Sequence, residues 1–193
     1  VKFLLWSRGG YKVIVGGHDQ IADYLKQVYS PTGPRAFDYD FMTGVYEKTF
    51  EVVGCPLSDC PDESDTTMAL GRHLDGNRIG FDLGASDRKT AAVINGVSVF
   101  EEEVPWDPKN QSDPNYHYEG IMHSIRRAAE HLPSVDAIGG SAAGVWINSR
   151  VLVASLFRGV PKDCFEAEVK DMKLRIGREM GVPIEVANDG EVT

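Results

Sequence analysis

Between Arg78 and Phe100 the chain carries three apolar runs separated by two tight turn signals, a pattern that a three-stranded meander accommodates. Ile79-Gly80-Phe81-Asp82-Leu83 runs into Gly84-Ala85-Ser86-Asp87, which is small and polar. Arg88-Lys89-Thr90 then leads to Ala91-Ala92-Val93-Ile94. Asn95-Gly96 follows, the dipeptide best suited to a two-residue hairpin turn, because both central positions need φ > 0. Val97-Ser98-Val99-Phe100 completes the set. The first turn would present backbone N–H groups beside Asp82 at a strand end. That arrangement suits phosphate oxygens and a hydrated Mg²⁺.

Downstream, Glu101-Glu102-Glu103 reads as a solvated strand end, and residues 106–114 as a polar loop punctuated by proline. Ile121, Ile125, Ala128, Ala129 and Leu132 then repeat at helical spacing, with Pro133 as the stop. His117, His123 and His131 are too irregularly spaced to share a ligand and read as surface residues. Val135–Gly140 is a short strand entering a small-residue turn, Ser141-Ala142-Ala143-Gly144. Val145–Ile147 and Val151–Val153 flank Asn148-Ser149-Arg150 as a hairpin. Phe165, Val169, Met172, Ile176 and Met180 define a second amphipathic helix, with Asp163 as N-cap and Gly181 as the residue just past its end. After Pro183 the strand Ile184-Glu185-Val186 ends in Ala187-Asn188-Asp189-Gly190, and Thr193 reads as lying in a starting helix.

The order from residue 78 is thus three strands, helix, strand, hairpin, helix, strand. It predicts an α/β fold with a mixed sheet, the meander antiparallel and each helix a crossover to a parallel strand. In open α/β sheets the site lies at the carboxyl ends of the parallel strands. Asp82, the Ser141–Gly144 turn and Asp189 all fall at such ends.

Residues 1–77 read as a separate α+β extension and linker. Lys2–Trp6 and Tyr11–Val15 are taken as strands, His18–Tyr29 as a helix, and Val45–Val52 as a strand. Gly16-Gly17 before the helix fits either a phosphate site at its N-terminus or a packing turn. Cys55 and Cys60 fit either reduced loop thiols or half of a zinc site, but the second pair of a finger is missing. No structural metal site is expected. Residues 61–77 are acidic and polar and read as a linker.

Composition narrows the partners. The 193 residues carry a formal charge of −9, which argues against a nucleic-acid surface. Only one segment of the extension has good helical periodicity, so a helix-turn-helix is not expected either. No apolar run approaches a membrane span, and no signal-peptide pattern opens the chain. Three cysteines make a disulfide scaffold improbable, so a reducing, cytoplasmic setting is expected.

The three motifs together resemble the first lobe of the sugar-kinase/Hsp70/actin superfamily, and within it the ROK family of repressors and sugar kinases. Ile79–Thr90 is similar to the superfamily's first phosphate loop. Asp136–Gly144 resembles the family's strand and small-residue turn near the sugar, and Val182–Asp189 its strand ending in Asn-Asp. The resemblance covers residues 78–193. It implies a ribonuclease H-like, actin-like ATPase lobe that uses ATP and Mg²⁺. It further implies Asp189 as general base, Asn188, Ser141, Ala142 and Gly144 around a small-molecule sugar, and Asp82, Gly84, Ala85 and Ser86 at the phosphates and metal-bound water. Phosphorylating a hydroxyl needs such a carboxylate together with positioned donors and Mg²⁺.

This sequence departs from the family pattern in several places. Ala85-Ser86-Asp87 stands where these kinases usually show Gly-Thr-Lys, and Gly190-Glu191 where they show Ala-Asn. The Glu-x-Gly-His sugar motif, the cysteine cluster, the second phosphate loop and the adenosine-binding segment are absent from these 193 residues. As given, the chain carries half of an ATP site, and a missing C-terminal lobe is implied; alone it is expected to phosphorylate nothing. The expected function is the N-terminal part of an ATP-dependent sugar kinase. The alternatives are a non-catalytic sugar- or nucleotide-sensing regulator, or a related ATPase with a non-sugar acceptor. The identity of the sugar and any homo-oligomer are left open.

Overall fold

The computed structural model describes residues 1–64 and 73–192, and the chain divides into two compact units, Val1–Met68 and Ala69–Thr193. Part of the linker expected over 61–77 lies outside the described residues, as does Thr193.

The first unit consists of α1 (Lys2–Arg8), β1 (Lys12–Gly16), α2 (Asp19–Val28), α3 (Ala36–Tyr46) and β2 (Glu51–Cys55). The two strands are parallel, from Lys12 opposite Glu51 to Gly16 opposite Cys55, so α2 and α3 form the crossover between them. Leu5, Tyr29, Met42, Phe50 and Val52 make its core.

Two expectations here are corrected. Lys2–Trp6 is helical, not a strand: only Leu5 is buried, Gly9 closes the helix by donating to Leu5 O, and Trp6 stacks on Phe41 with ring centroids 4.8 Å apart. A short apolar run cannot by itself distinguish helix from strand, and here contact with α3 decides. The strand expected from Val45 begins only at Glu51. Val45 is the last buried residue of α3, whose inner face is Asp38, Met42 and Val45, and Glu47 ends the helix at φ 53°. Among its described residues the first unit therefore holds three α-helices where one was expected. Phe37, exposed on the outer side of α3, blurs the period.

The second unit is organised by a five-stranded mixed sheet. Its strands are β3 (Asn77–Leu83), β4 (Asp87–Ile94), β5 (Val97–Pro105), β6 (Ala137–Ala142) and, after a small hairpin of β7 (Val145–Ile147) and β8 (Arg150–Val153), β9 (Ile184–Ala187). The spatial order is β5-β4-β3-β6-β9. The meander β3-β4-β5 is antiparallel, and β6 and β9 run parallel to β3 and β6. Asn95 and Gly96 both adopt positive φ, 49° and 82°, so the turn chemistry is the one the dipeptide demands.

Helix α4 (Pro114–Ala129) is the first crossover. Asp113 caps it by accepting from Asn115 N, and Pro114 occupies its first turn, where a missing N–H costs nothing. Ile79, Phe81 and Leu83 alternate toward the core, where Ile121, Ile125 and Ala128 of α4 lie. Ile138, Ile184 and Val186 belong to the same core with Met172 and Ile176. His117 is fully buried in α4, which corrects its reading as a surface residue: its Nε2–H lies 3.0 Å from Pro108 O and 3.2 Å from Leu156 O. Both partners are carbonyls, so Nε2 carries the proton.

The second crossover is broken where one continuous helix was expected. A turn of helix, α5 (Lys162–Cys164), passes into a π-helical stretch Phe165–Val169, and α6 (Met172–Met180) starts afresh. The cause lies in β8. Val151 N donates to Lys170 O, drawing that carbonyl out of the ladder, and Arg150 Nε donates to Asp171 Oδ1 at 2.6 Å. Asp163 lies inside α5, with Pro161 in the capping position, so the expected N-cap is also corrected. Gly181 ends α6 at φ 70°, as its position implies.

Candidate functional site at the carboxyl ends of the parallel strands

β3, β6 and β9 are parallel and adjacent, so their carboxyl ends lie along one edge. Register makes the juxtaposition specific. Asp82 is opposite Ser141, and Ser141 is opposite Ala187, so these three residues form one row across the sheet. The pair at its centre is bonded: Ser141 Oγ donates to Asp82 Oδ1 at 2.6 Å. Ser141 and Ala142 are the last residues of β6, and the turn starts after them, a small correction to the turn expected over 141–144.

The loops beyond the strand ends are tied to each other. Asn188 Nδ2 donates to Gly144 O at 2.7 Å, and Asn188 Oδ1 accepts from Gly190 N at 2.8 Å. Asn188 thereby joins the β9 end to the β6–β7 turn. Gly144, at φ 138°, could not be replaced by a larger residue, since a Cβ there would fall 2.4 Å from Val153 O. Asp189 is exposed and opens a single 3-10 turn, Asp189–Glu191. Its Oδ1 accepts from Gly190 N at 2.9 Å, which sets the orientation of the carboxylate.

The β3–β4 turn is internally satisfied. Gly84 N donates to Asp87 O at 2.9 Å, and Ser86 Oγ donates to Asp87 Oδ2 at 2.8 Å. The Asp87 carboxylate also lies 3.6 Å from Lys89 Nζ. Ala85 and Ser86 are exposed at the tip. Two donors that the sequence offers to a ligand, the Gly84 amide and the Ser86 hydroxyl, are thus engaged within the turn itself.

Several contributors were not singled out from sequence. Trp106 braces the same turn twice: its Nε1–H donates to Gly84 O at 2.9 Å and its backbone N–H to Ser86 O at 2.9 Å. A lone tryptophan in a polar loop was the available signal. Trp146 similarly ties the small hairpin to the site edge by donating to Ala142 O at 2.9 Å. Gly80 and Gly139 face each other across β3 and β6, and a Cβ on either would meet nothing within 4 Å. They floor a depression of about 300 Å³ that continues to Ser141, Glu185 and Ala187. A second depression, about 390 Å³, shares Gly80 and runs past Asp82 and Lys89 to Glu101 and Glu103. Two glycines in register on one sheet face are invisible without knowing the strand pairing.

Among the described residues no cluster of three or more His, Cys, Asp or Glu is placed to hold a metal ion, and no helix is long and apolar enough to cross a membrane. The carboxylate of Asp82 is half-buried and held by one hydroxyl, which suits it to a metal's water shell better than to direct chelation.

No protein-family model and no curated protein sequence matches the chain. Solved structures that it resembles include ROK-family proteins. An inorganic polyphosphate/ATP-glucomannokinase from Arthrobacter sp. strain KM is 21% identical, with a TM-score of 0.46, covering 60% of this chain and 45% of that one. A ROK family transcriptional regulator, a homologue of the E. coli MLC protein, is 18% identical with a TM-score of 0.47, covering 60% and 28%. A ROK hexokinase from Thermus thermophilus is 18% identical with a TM-score of 0.43, covering 58% and 34%. The chain spans less than half the length of each.

Proposed function

We propose that residues 78–193 form the first lobe of a ROK-like, actin-like ATPase fold and carry half the site of an ATP-dependent sugar kinase. The observation that supports this reading is the row Asp82–Ser141–Ala187, with the Ser141–Asp82 hydrogen bond at its centre and Asn188-Asp189 directly beyond it. It brings two carboxylates and an amide from segments far apart in sequence to the carboxyl ends of the three parallel strands of the mixed sheet, where ligands of open α/β sheets bind.

In this mechanism Asp189 accepts the proton of the attacking sugar hydroxyl as that oxygen bonds to phosphorus. Asp82, oriented by Ser141, would hold a bound Mg²⁺ through water. Asn188, expected at the sugar, has both ends of its amide committed to backbone and would instead keep the base in place through Gly144 and Gly190. Ser141 and Gly144 line the sugar side; Ala142, expected there, is instead fully buried in the core with its carbonyl taken by Trp146. Mg-ATP, when bound, would supply the phosphoryl group and the countercharge. The acceptor's remaining contacts belong to a second lobe.

The fit is better at Asp82 than at the hairpin tip. With the Gly84 amide and Ser86 hydroxyl engaged, and the Asp87 carboxylate 3.6 Å from Lys89 Nζ, the tip's own groups are largely spent on one another. That observation favours the second reading, a sugar- or nucleotide-sensing regulator on the same fold without turnover.

One experiment separates the two. The intact protein is offered hexoses with Mg-ATP while ATP consumption and sugar binding are followed in parallel. A kinase consumes ATP in a sugar-dependent way, and Asp189→Asn removes at least about 10²-fold of that rate while sugar binding persists. Sugar binding without any ATP turnover favours the sensor.

A further inference from the structure

Cys55 closes β2, and Cys60 follows the single 3-10 turn Leu57–Asp59. Both are free thiols and half-buried, and their Sγ atoms are 3.8 Å apart. Gly16, the register partner of Cys55, makes room for this approach, because a Cβ at Gly16 would stand 2.2 Å from Cys60 Sγ. Gly17 N donates to Cys55 O at 2.8 Å, so the same backbone that seats the thiols also forms the β1–α2 turn. A disulfide needs its sulfurs about 2.05 Å apart. Closing the gap takes less than about 2 Å of sulfur movement, within reach of side-chain rotation and a small shift of the turn. A zinc site is not completed here, since no third ligand joins the pair among the described residues.

We propose that Cys55 and Cys60 form a reversible dithiol–disulfide site whose oxidant is a small-molecule disulfide of the glutathione class. One protein thiolate attacks a sulfur of the oxidised glutathione, making a mixed disulfide and releasing one glutathione thiolate. The second protein thiolate attacks the sulfur on the first cysteine, closing the protein disulfide and releasing the second glutathione. Two protein thiols lose two hydrogens, and the glutathione disulfide gains them. Burial, together with the hydrogen bond and charge of Cys60, pushes the Cys55 thiol up. The closed ring holds loop 56–59 against Gly16-Gly17-His18, and the oxidation state of the pair thereby sets how firmly the β1–α2 turn is held.

The test uses the whole chain carrying Cys164→Ser, in which Cys55 and Cys60 are the remaining thiols. It is equilibrated in graded mixtures of reduced and oxidised glutathione, then acid-quenched for intact mass and thiol count. The site gives a species about 2 Da below the reduced chain with no free thiol, reversed by dithiothreitol. Adding Cys55→Ser turns that product into a single glutathione adduct. The native chain keeps its disulfide at a glutathione ratio at least about tenfold more reducing than the same chain in guanidinium. Two glutathione adducts, two untouched thiols, or equal midpoints for native and unfolded chain would each overturn the proposal.

Discussion

Lys173 is the least expected side chain in the second unit. It sits on the inner face of α6, fully buried, and its Nζ has no hydrogen-bond partner among the described residues. Burial lowers its pKa to about 7. The rings of Trp146 and Phe157 lie 5.8 and 5.6 Å from Nζ, but such contacts offer about 1 kcal/mol each, less than the desolvation they oppose. The sign follows from linkage. The unfolded chain keeps this proton up to about 10.5 while the folded chain releases it near 7, so stability rises with pH across that window and the penalty is complete below it. Lys173→Met is expected to stabilise the fold by about 2 kcal/mol at pH 7 and to flatten that rise. Denaturant titrations at pH 7 and 9.5 check it, and an unchanged pH slope would contradict the assignment. His117, whose pKa burial lowers, has its own window: as pH falls below about 6.5 the unfolded chain takes the proton first and stability declines. Neither residue was legible in the sequence. A lysine and a histidine inside amphipathic patterns read as solvent-facing by default, and only the packing of α4, α6 and the hairpin puts them in the core. The place of Asp82 at the end of β3 was legible, because a carboxylate near the end of an apolar strand at a Gly turn is a local signal.

At the scale of elements, β6 has two neighbouring glycines in opposite situations. Gly140 lies opposite Phe81 of β3, and a Cβ on it would come within 2.3 Å of that ring. Gly139 points to the other face, where a Cβ meets nothing within 4 Å. Gly140→Ala is expected to cost about 2 kcal/mol through forced displacement of Phe81, and Gly139→Ala to change stability by less than about 0.5 kcal/mol. Thermal melts of the two single variants test the pairing register directly, and equal losses would contradict it. Trp106→Phe, which leaves Gly84 O without its indole donor, is expected to cost about 1 kcal/mol and to raise hydrogen exchange in the β3–β4 turn. A turn with unchanged exchange would remove Trp106 from its support. The meander, both crossover positions and the small hairpin could be read from sequence because turn chemistry and period agree there. Helices α1 and α3 could not, since exposed aromatic residues, Phe3 and Trp6 in one and Phe37 in the other, erase the period. The break between α5 and α6 was hidden for another reason: its cause, Val151 N reaching Lys170 O, is a long-range contact that leaves the apolar spacing intact.

On the scale of the whole molecule, the chain divides at the acidic stretch into a small parallel two-stranded unit and a larger mixed-sheet unit. Order and spacing in the sequence pointed to the edge where β3, β6 and β9 end, because crossover connections place successive parallel strands side by side. What they could not disclose is how far the loops at that edge satisfy one another, as Asn188 does with Gly144 and Ser86 with Asp87. The most direct measurement is sugar-dependent ATP consumption by the intact protein, beside its Asp189→Asn variant. The account predicts turnover in the parent, a loss of at least about 10²-fold in the variant, and sugar affinity within about threefold of the parent. Turnover at the parental rate in Asp189→Asn would contradict it.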